Sequence, residues 1–166
     1  IADLTSNRIL NSVFFGGGTP SMMDVTTVDR ILVRIQKRWR LANDLEVTLE
    51  ANPTSIEAQR FVGYNAAGVN RVSVGVQALN DIDLKALGRL HSANEALAAM
   101  EIARTTFDRV SFDLIYARQY QNVKSWQIEI TNALELEPDH LSLYQLTVED
   151  GTAFGDRLKR GLLRGL

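Results

Sequence analysis

Short runs of β-branched and aromatic residues alternate along this chain with longer segments in which apolar residues return every three or four positions. The first pattern suits buried strands and the second suits helices packed by one face, so their alternation predicts parallel βα units. Five strands are expected, at Ser12 to Phe15, Leu45 to Leu49, Arg71 to Val76, Val110 to Tyr116 and His140 to Leu146. Between the first two, Thr26 to Trp39 puts Val28, Ile31, Leu32, Ile35 and Trp39 on one helical face, with Lys37 and Arg38 near the negative end of the dipole. A second helix is predicted from Ser55, its candidate N-cap, to Ala67 before Gly68, with Ala58, Phe61, Val62, Asn65 and Ala66 as its buried stripe. Ser92 caps a third, Ala93 to Arg104. A fourth, Val123 to Leu136, carries Trp126, Ile130, Ala133 and Leu134 on one stripe and stops before Pro138.

Strand starts recur at about the length of one βα unit, and right-handed crossovers lay successive strands side by side. An open doubly wound sheet and an arc of a βα barrel both satisfy this, and periodicity does not separate them. In both, a ligand sits at the carboxyl ends of the strands, so the polar residues there are the ones that matter.

Composition adds exclusions. The 166 residues are 45% hydrophobic and 23% charged, as in one ordinary globular domain. Eighteen Lys and Arg against twenty Asp and Glu give a net charge of -2, which leaves no global field for collecting nucleic acid or an anionic membrane. No apolar run is long enough to span a bilayer, and a cytoplasmic protein is expected. There is no cysteine, so these residues hold neither a disulfide nor a thiolate metal site. His91 and His140 do not form a ligand pair, and no metal site is predicted. The start at Ile1 and the basic stretch Arg157 to Arg164 read as cut ends.

After Phe15 comes Gly16-Gly17-Gly18-Thr19-Pro20-Ser21. Its bare backbone suits close approach of a small molecule, but it is neither a dinucleotide fingerprint nor a Walker loop. Glu50 stands at the carboxyl edge of the second strand, before Ala51-Asn52-Pro53, either as an acceptor for ribose hydroxyls or a ligand ammonium or as a solvated edge residue. Ser73, Gly75 and Gln77 share one face of the third strand, with valines on the other, which leaves room for a ligand and places Gln77 at its mouth. Arg89, in Leu87-Gly88-Arg89, offers a planar fork for a carboxylate or is an ordinary surface arginine. Asp113, embedded in the apolar fourth strand, is costly unless paired. Trp39 and Trp126 lie on helix stripes and read as core.

Taken in order, Phe14-Phe15-Gly16-Gly17-Gly18-Thr19-Pro20-Ser21, Glu50-Ala51-Asn52-Pro53, Ala67-Gly68-Val69-Asn70-Arg71-Val72-Ser73-Val74-Gly75-Val76-Gln77, Leu87-Gly88-Arg89 and Asp113-Leu114-Ile115-Tyr116 resemble the radical S-adenosylmethionine enzymes of the oxygen-independent coproporphyrinogen III oxidase family. The segment His140 to Glu149, followed by Gly151-Thr152, is more similar to the heme chaperone branch of that family. The resemblance implies an α/β fold, a partial (β/α)6 TIM-like barrel, with its strands two to six present here. Residues 1–154 would be the core without its first βα unit, and residues 155–166 the start of a C-terminal region. It implies S-adenosylmethionine and a 4Fe-4S cluster as cofactors, the cluster's three cysteines lying outside this chain.

By the same resemblance, Gly17, Gly18 and Thr19 would serve the methionine amino group, Glu50 and Gln77 the ribose or amino group, Arg89 the carboxylate and Asp113 the ribose end. The chemistry implied is reductive cleavage to a 5'-deoxyadenosyl radical in porphyrin metabolism, with a porphyrin or heme and an electron donor as partners. The alternative is a heme-binding chaperone that performs no decarboxylation. No turnover is expected of these residues alone. The family usually continues Asp-Leu-Ile-Tyr with Gly-Leu-Pro, where this chain has Ala117-Arg118-Gln119.

Overall fold

The computed structural model describes residues 4, 5, 7–136 and 139–165; Ile1 and Pro138 lie outside the described residues. Five strands, β1 (Ile9–Phe15), β2 (Arg40–Ala51), β3 (Arg71–Gln77), β4 (Arg109–Tyr116) and β5 (His140–Gln145), form one sheet. All four pairings are parallel and the order is β1-β2-β3-β4-β5. A doubly wound sheet would reverse its order at a switch point, so this order settles the architecture as an arc of a βα barrel.

The helices are α1 (Val25–Gln36), α2 (Ser55–Ala58), α3 (Phe61–Ala66), α4 (Asp81–Ala86), α5 (Ala93–Thr106), α6 (Val123–Glu135) and α7 (Ala153–Lys159). A single 3-10 turn, Pro20–Met22, follows the glycine loop. The core fills the space between sheet and helices: Val72, Val74 and Val76 of β3 and Val110, Phe112 and Leu114 of β4 join Val28 and Leu32 of α1, Phe61 and Tyr64 of α3, and Ala96, Ala99, Met100 and Ala103 of α5. Phe61 and Phe107 meet edge to face, their ring centroids 5.5 Å apart. Small alanines on α5 let its backbone approach the strands closely. Ser92 and Glu95 close a full capping box at its start.

Several expectations change. The strand expected at Leu45 begins at Arg40, because a register shift between Leu10 and Ser12 accommodates a polar stretch, Asn43-Asp44, that hides the alternation. The helix expected from Ser55 to Ala67 is two helices. Thr54, not Ser55, is the N-cap, its hydroxyl accepting from the Glu57 N-H. The break at Gln59 and Arg60 rotates the second half, so Tyr64 is buried while Val62, Asn65 and Ala66 face solvent. On α6, Leu134 is likewise exposed, and Glu129 takes a buried place. Trp39 lies beyond the end of α1, half-buried, its Nε1-H donating to Thr5 Oγ1 at 2.9 Å. Trp126 packs against the core and lies 5.6 Å from the Tyr116 ring.

Ala117 and Tyr120, in the loop after β4, take φ of 56° and 59°. This left-handed backbone costs a residue with a Cβ about 1 kcal/mol. Ala117→Gly is therefore expected to raise the midpoint of thermal unfolding by about 2 °C, read by circular dichroism. No helix among the described residues is long and apolar enough to cross a membrane.

Candidate functional site

Side chains on β3 alternate, so with Val72, Val74 and Val76 against the helices, Ser73, Gly75 and Gln77 face the concave side of the sheet. The same holds for Glu50 on β2 and Asp113 on β4. At the carboxyl ends of these strands lies a cavity of about 320 Å³. Its lining includes Gly18, Thr19, Glu50, Gln77, Arg89 and Asp113, six of the seven residues singled out from the sequence. Gly17 stands one step outside, in an adjoining hollow with Phe14, Phe15 and Met23. Its N-H nevertheless donates to Glu50 Oε2 at 3.1 Å, which ties the glycine loop to the edge of the cavity. Gly17 and Gly18 have φ of 84° and 61°, and a Cβ at either would meet nothing within 4 Å. The backbone there is open to a ligand.

Gln77 reaches the cavity by a distortion. The β3–β4 register shifts between Val74 and Gln77, and Gln77 has φ of 72°. A bulge of this kind re-aims a side chain, here into the cavity mouth. Gly75 makes it possible, because a Cβ on it would lie 2.9 Å from Gln77 Nε2. Gly75→Ala should therefore push the Gln77 amide aside and lower affinity for a ligand that the amide contacts about tenfold, measurable by calorimetry.

Asp113 Oδ1 accepts from Ser73 Oγ at 3.2 Å. Burial raises its pKa above the usual carboxylate range, and Glu50 adds to this; hydroxyls of Ser142 and Ser73 and the nearby His140 pull the other way. With the folded value raised, the folded chain holds the proton more tightly. Stability is then full below the ordinary Asp pKa and falls as pH rises through the raised one. Asp113→Asn is expected to melt higher than the parent at neutral pH and level with it in acid, by thermal scans at both. For Arg89, burial lowers the pKa and the Asp113 charge opposes it.

Beneath the cavity floor a knot of buried groups holds the loops. Glu57, 5% exposed, accepts from Ser21 Oγ, from the Asn52 N-H at 2.8 Å and from Asn52 Nδ2 at 3.3 Å. Tyr64 OH lies 2.8 Å from Ser21 O and 2.6 Å from Met23 O, and burial raises its pKa, keeping it a donor. Arg60 reaches the carbonyls of Ser21 and Met22. Sequence reasoning missed Glu57 and Tyr64; the one available signal was Glu57 standing three residues after a capping Thr54. His91 is also buried, its Nε2 3.1 Å from Val76 O.

A parallel βα arc with its strands in sequential order carries a polar cavity at their carboxyl ends, beside a glycine loop. The sequence profile of the Radical SAM superfamily matches residues 1–127, and the chain belongs to that superfamily. Radical S-adenosyl methionine domain-containing protein 1, mitochondrial, of Mus musculus is 46% identical over 161 residues, covering 96% of this chain and 36% of the mouse protein. Heme chaperone HemW of Escherichia coli (strain K12) is 42% identical over 151 residues, covering 90% of this chain and 40% of its own length. Among solved structures, coproporphyrinogen III oxidase (HemN) from Escherichia coli superposes with a TM-score of 0.82 at 27% identity, over 98% of this chain and 38% of that one. The chain spans well under half the length of each of these proteins.

Proposed function

We propose that the cavity binds S-adenosylmethionine and that the protein to which this chain belongs acts in porphyrin or heme metabolism. One observation carries the reading: the cavity sets acceptors, a guanidinium and bare backbone at separate points of one wall. Glu50 and the backbone of Gly18 and Thr19 suit an ammonium group. Arg89 supplies a two-pronged donor for a carboxylate, and Gln77 and Asp113 suit the two hydroxyls of a ribose. Gly17, donating to Glu50, fixes that carboxylate toward the ammonium. An α-amino acid joined to a nucleoside presents these three features in one molecule. Beside a reduced 4Fe-4S cluster, bound S-adenosylmethionine supplies reductive cleavage of a carbon-sulfur bond. With no cysteine among the 166 residues, thiolate ligands for such a cluster belong to other residues.

Of the two activities in this class, heme handling is favoured by the relative named a heme chaperone at 42% identity. The oxidase reading draws on the structural match at 27%. A heme or porphyrin and an electron donor for the cluster are the partners in both. The cytoplasmic expectation is served less well, since the mouse relative is named a mitochondrial protein; fractionating the host cell decides it. In the full protein with its cluster, heme binding followed by its absorption spectrum, set against decarboxylation of coproporphyrinogen III, separates the activities. Heme bound without decarboxylation is expected; decarboxylation without heme binding would make it an oxidase. On this reading residues 1–154 form the core.

A further inference from the structure

The loop after β4 carries an arginine in the protein interior. Arg118 is 4% exposed, and its Nη2 is paired with Glu129 Oε2 of α6 and, at 2.7 Å, with Asp83 Oδ2 of α4. Its Nη1 donates to Ile115 O, and its Nε is buried without a hydrogen bond among the described residues. Glu129, 7% exposed, also accepts from the Leu79 N-H at 2.9 Å and from Gln121 Nε2 at 3.2 Å.

Burying such a pair costs desolvation that an apolar pair of similar size would avoid. Packing alone gives no reason for it, and an imperfectly satisfied Nε adds to the cost. What the pair does hold is specific. Leu79 lies two residues beyond Gln77, whose left-handed backbone aims it into the cavity. Asp83 belongs to α4, and Arg89 is tied to the same helix by its N-H, which donates to Leu84 O at 2.8 Å. Ile115, gripped through its carbonyl, lines the cavity as well. The pair thus braces, from outside the cavity, the two segments that deliver Gln77 and Arg89.

We propose that Arg118 and Glu129 are positioning residues for the cofactor cavity, setting where Gln77 and Arg89 stand. This rests on the reading that the cavity binds S-adenosylmethionine. Moving Glu129 releases the N-H of Leu79, and removing Arg118 takes away the ion pair that holds Asp83 of α4. The pair joins the Leu79 N-H, held by Glu129, to the Asp83 carboxylate, held by Arg118, at one buried point.

The test uses the full protein with its cluster and two variants: Glu129→Gln, which keeps an acceptor for Leu79, and the apolar pair Arg118→Leu/Glu129→Leu. Three readouts are taken: thermal unfolding, amide exchange over residues 77–90, and S-adenosylmethionine affinity by calorimetry. The apolar pair is expected to exchange faster over 77–90 and to bind at least about tenfold more weakly, even where its unfolding midpoint is not lowered. Glu129→Gln should fall between, and its loss should not add to that of Gln77→Ala, since both act through one amide. Unchanged exchange and affinity in the apolar pair would overturn the proposal, as would full additivity with Gln77→Ala. If the apolar pair does not fold, Glu129→Gln decides by the same two criteria. If the parent binds no S-adenosylmethionine, the reading of the cavity fails; unchanged exchange over 77–90 then overturns the bracing as well, and faster exchange upholds it.

Discussion

Replacing Glu57 by alanine is expected to cost about 3 kcal/mol of folding stability, because three donors on two loops lose a buried charged acceptor together. Ser21 Oγ, the Asn52 N-H and Asn52 Nδ2 all converge on this carboxylate, which is itself buried. For a chain of this size the midpoint should fall by about 10 °C. Glu57→Gln should cost far less, about 1 kcal/mol, since an amide oxygen can receive the Ser21 and Asn52 backbone donors while the Asn52 side chain turns to accept from the new amide. Urea titrations of both variants measure the difference. An alanine variant as stable as the parent would show that the glycine loop is held by Tyr64 and Arg60 without it.

The second large effect concerns Arg89. Removing the guanidinium by Arg89→Ala should weaken S-adenosylmethionine binding about a hundredfold, the scale of two charge-assisted hydrogen bonds lost from a half-buried site. Arg89→Lys should restore only part, because a point charge on a flexible stem cannot engage both carboxylate oxygens at once. Decarboxylated S-adenosylmethionine provides the control: parent and alanine variant should bind it alike in calorimetry. A hundredfold loss with that analogue too would mean that Arg89 serves the site by balancing Asp113, whose charge it faces.

Much of this arrangement could be read from residue order. The five strands and the polar residues at their ends follow from period-two alternation interrupted by side chains that have no place in a core, and Gln77 and Asp113 were exposed by that logic. The misread elements share a cause. The stripe assigned to Ser55–Ala67 assumed a continuous helix, and a break at Gln59 and Arg60 shifts the phase without leaving a glycine or proline to mark it. Glu57 and Glu129 escaped notice because a carboxylate on a helix is usually solvated, and only the fold reveals the strand-end N-H groups each one covers. The bulge that aims Gln77 was equally silent, since Gly75 reads as a small residue beside a ligand and its function is to clear space for a side chain two positions later.

The sequential strand order carries a consequence for how the chain reaches this state. Paired residues are separated by 23 positions at the least, Thr48 with Arg71, and by 38 at the most, Arg71 with Arg109. No pairing waits for a distant segment, so the loop-closure entropy of each step is modest for a parallel sheet. Each βα unit can dock on its predecessor as it leaves the ribosome, and the wall of the cavity grows in the order of synthesis: glycine loop, Glu50, Gln77, Arg89, Asp113. Assembly of the ligand site and translation of the message then proceed in the same direction.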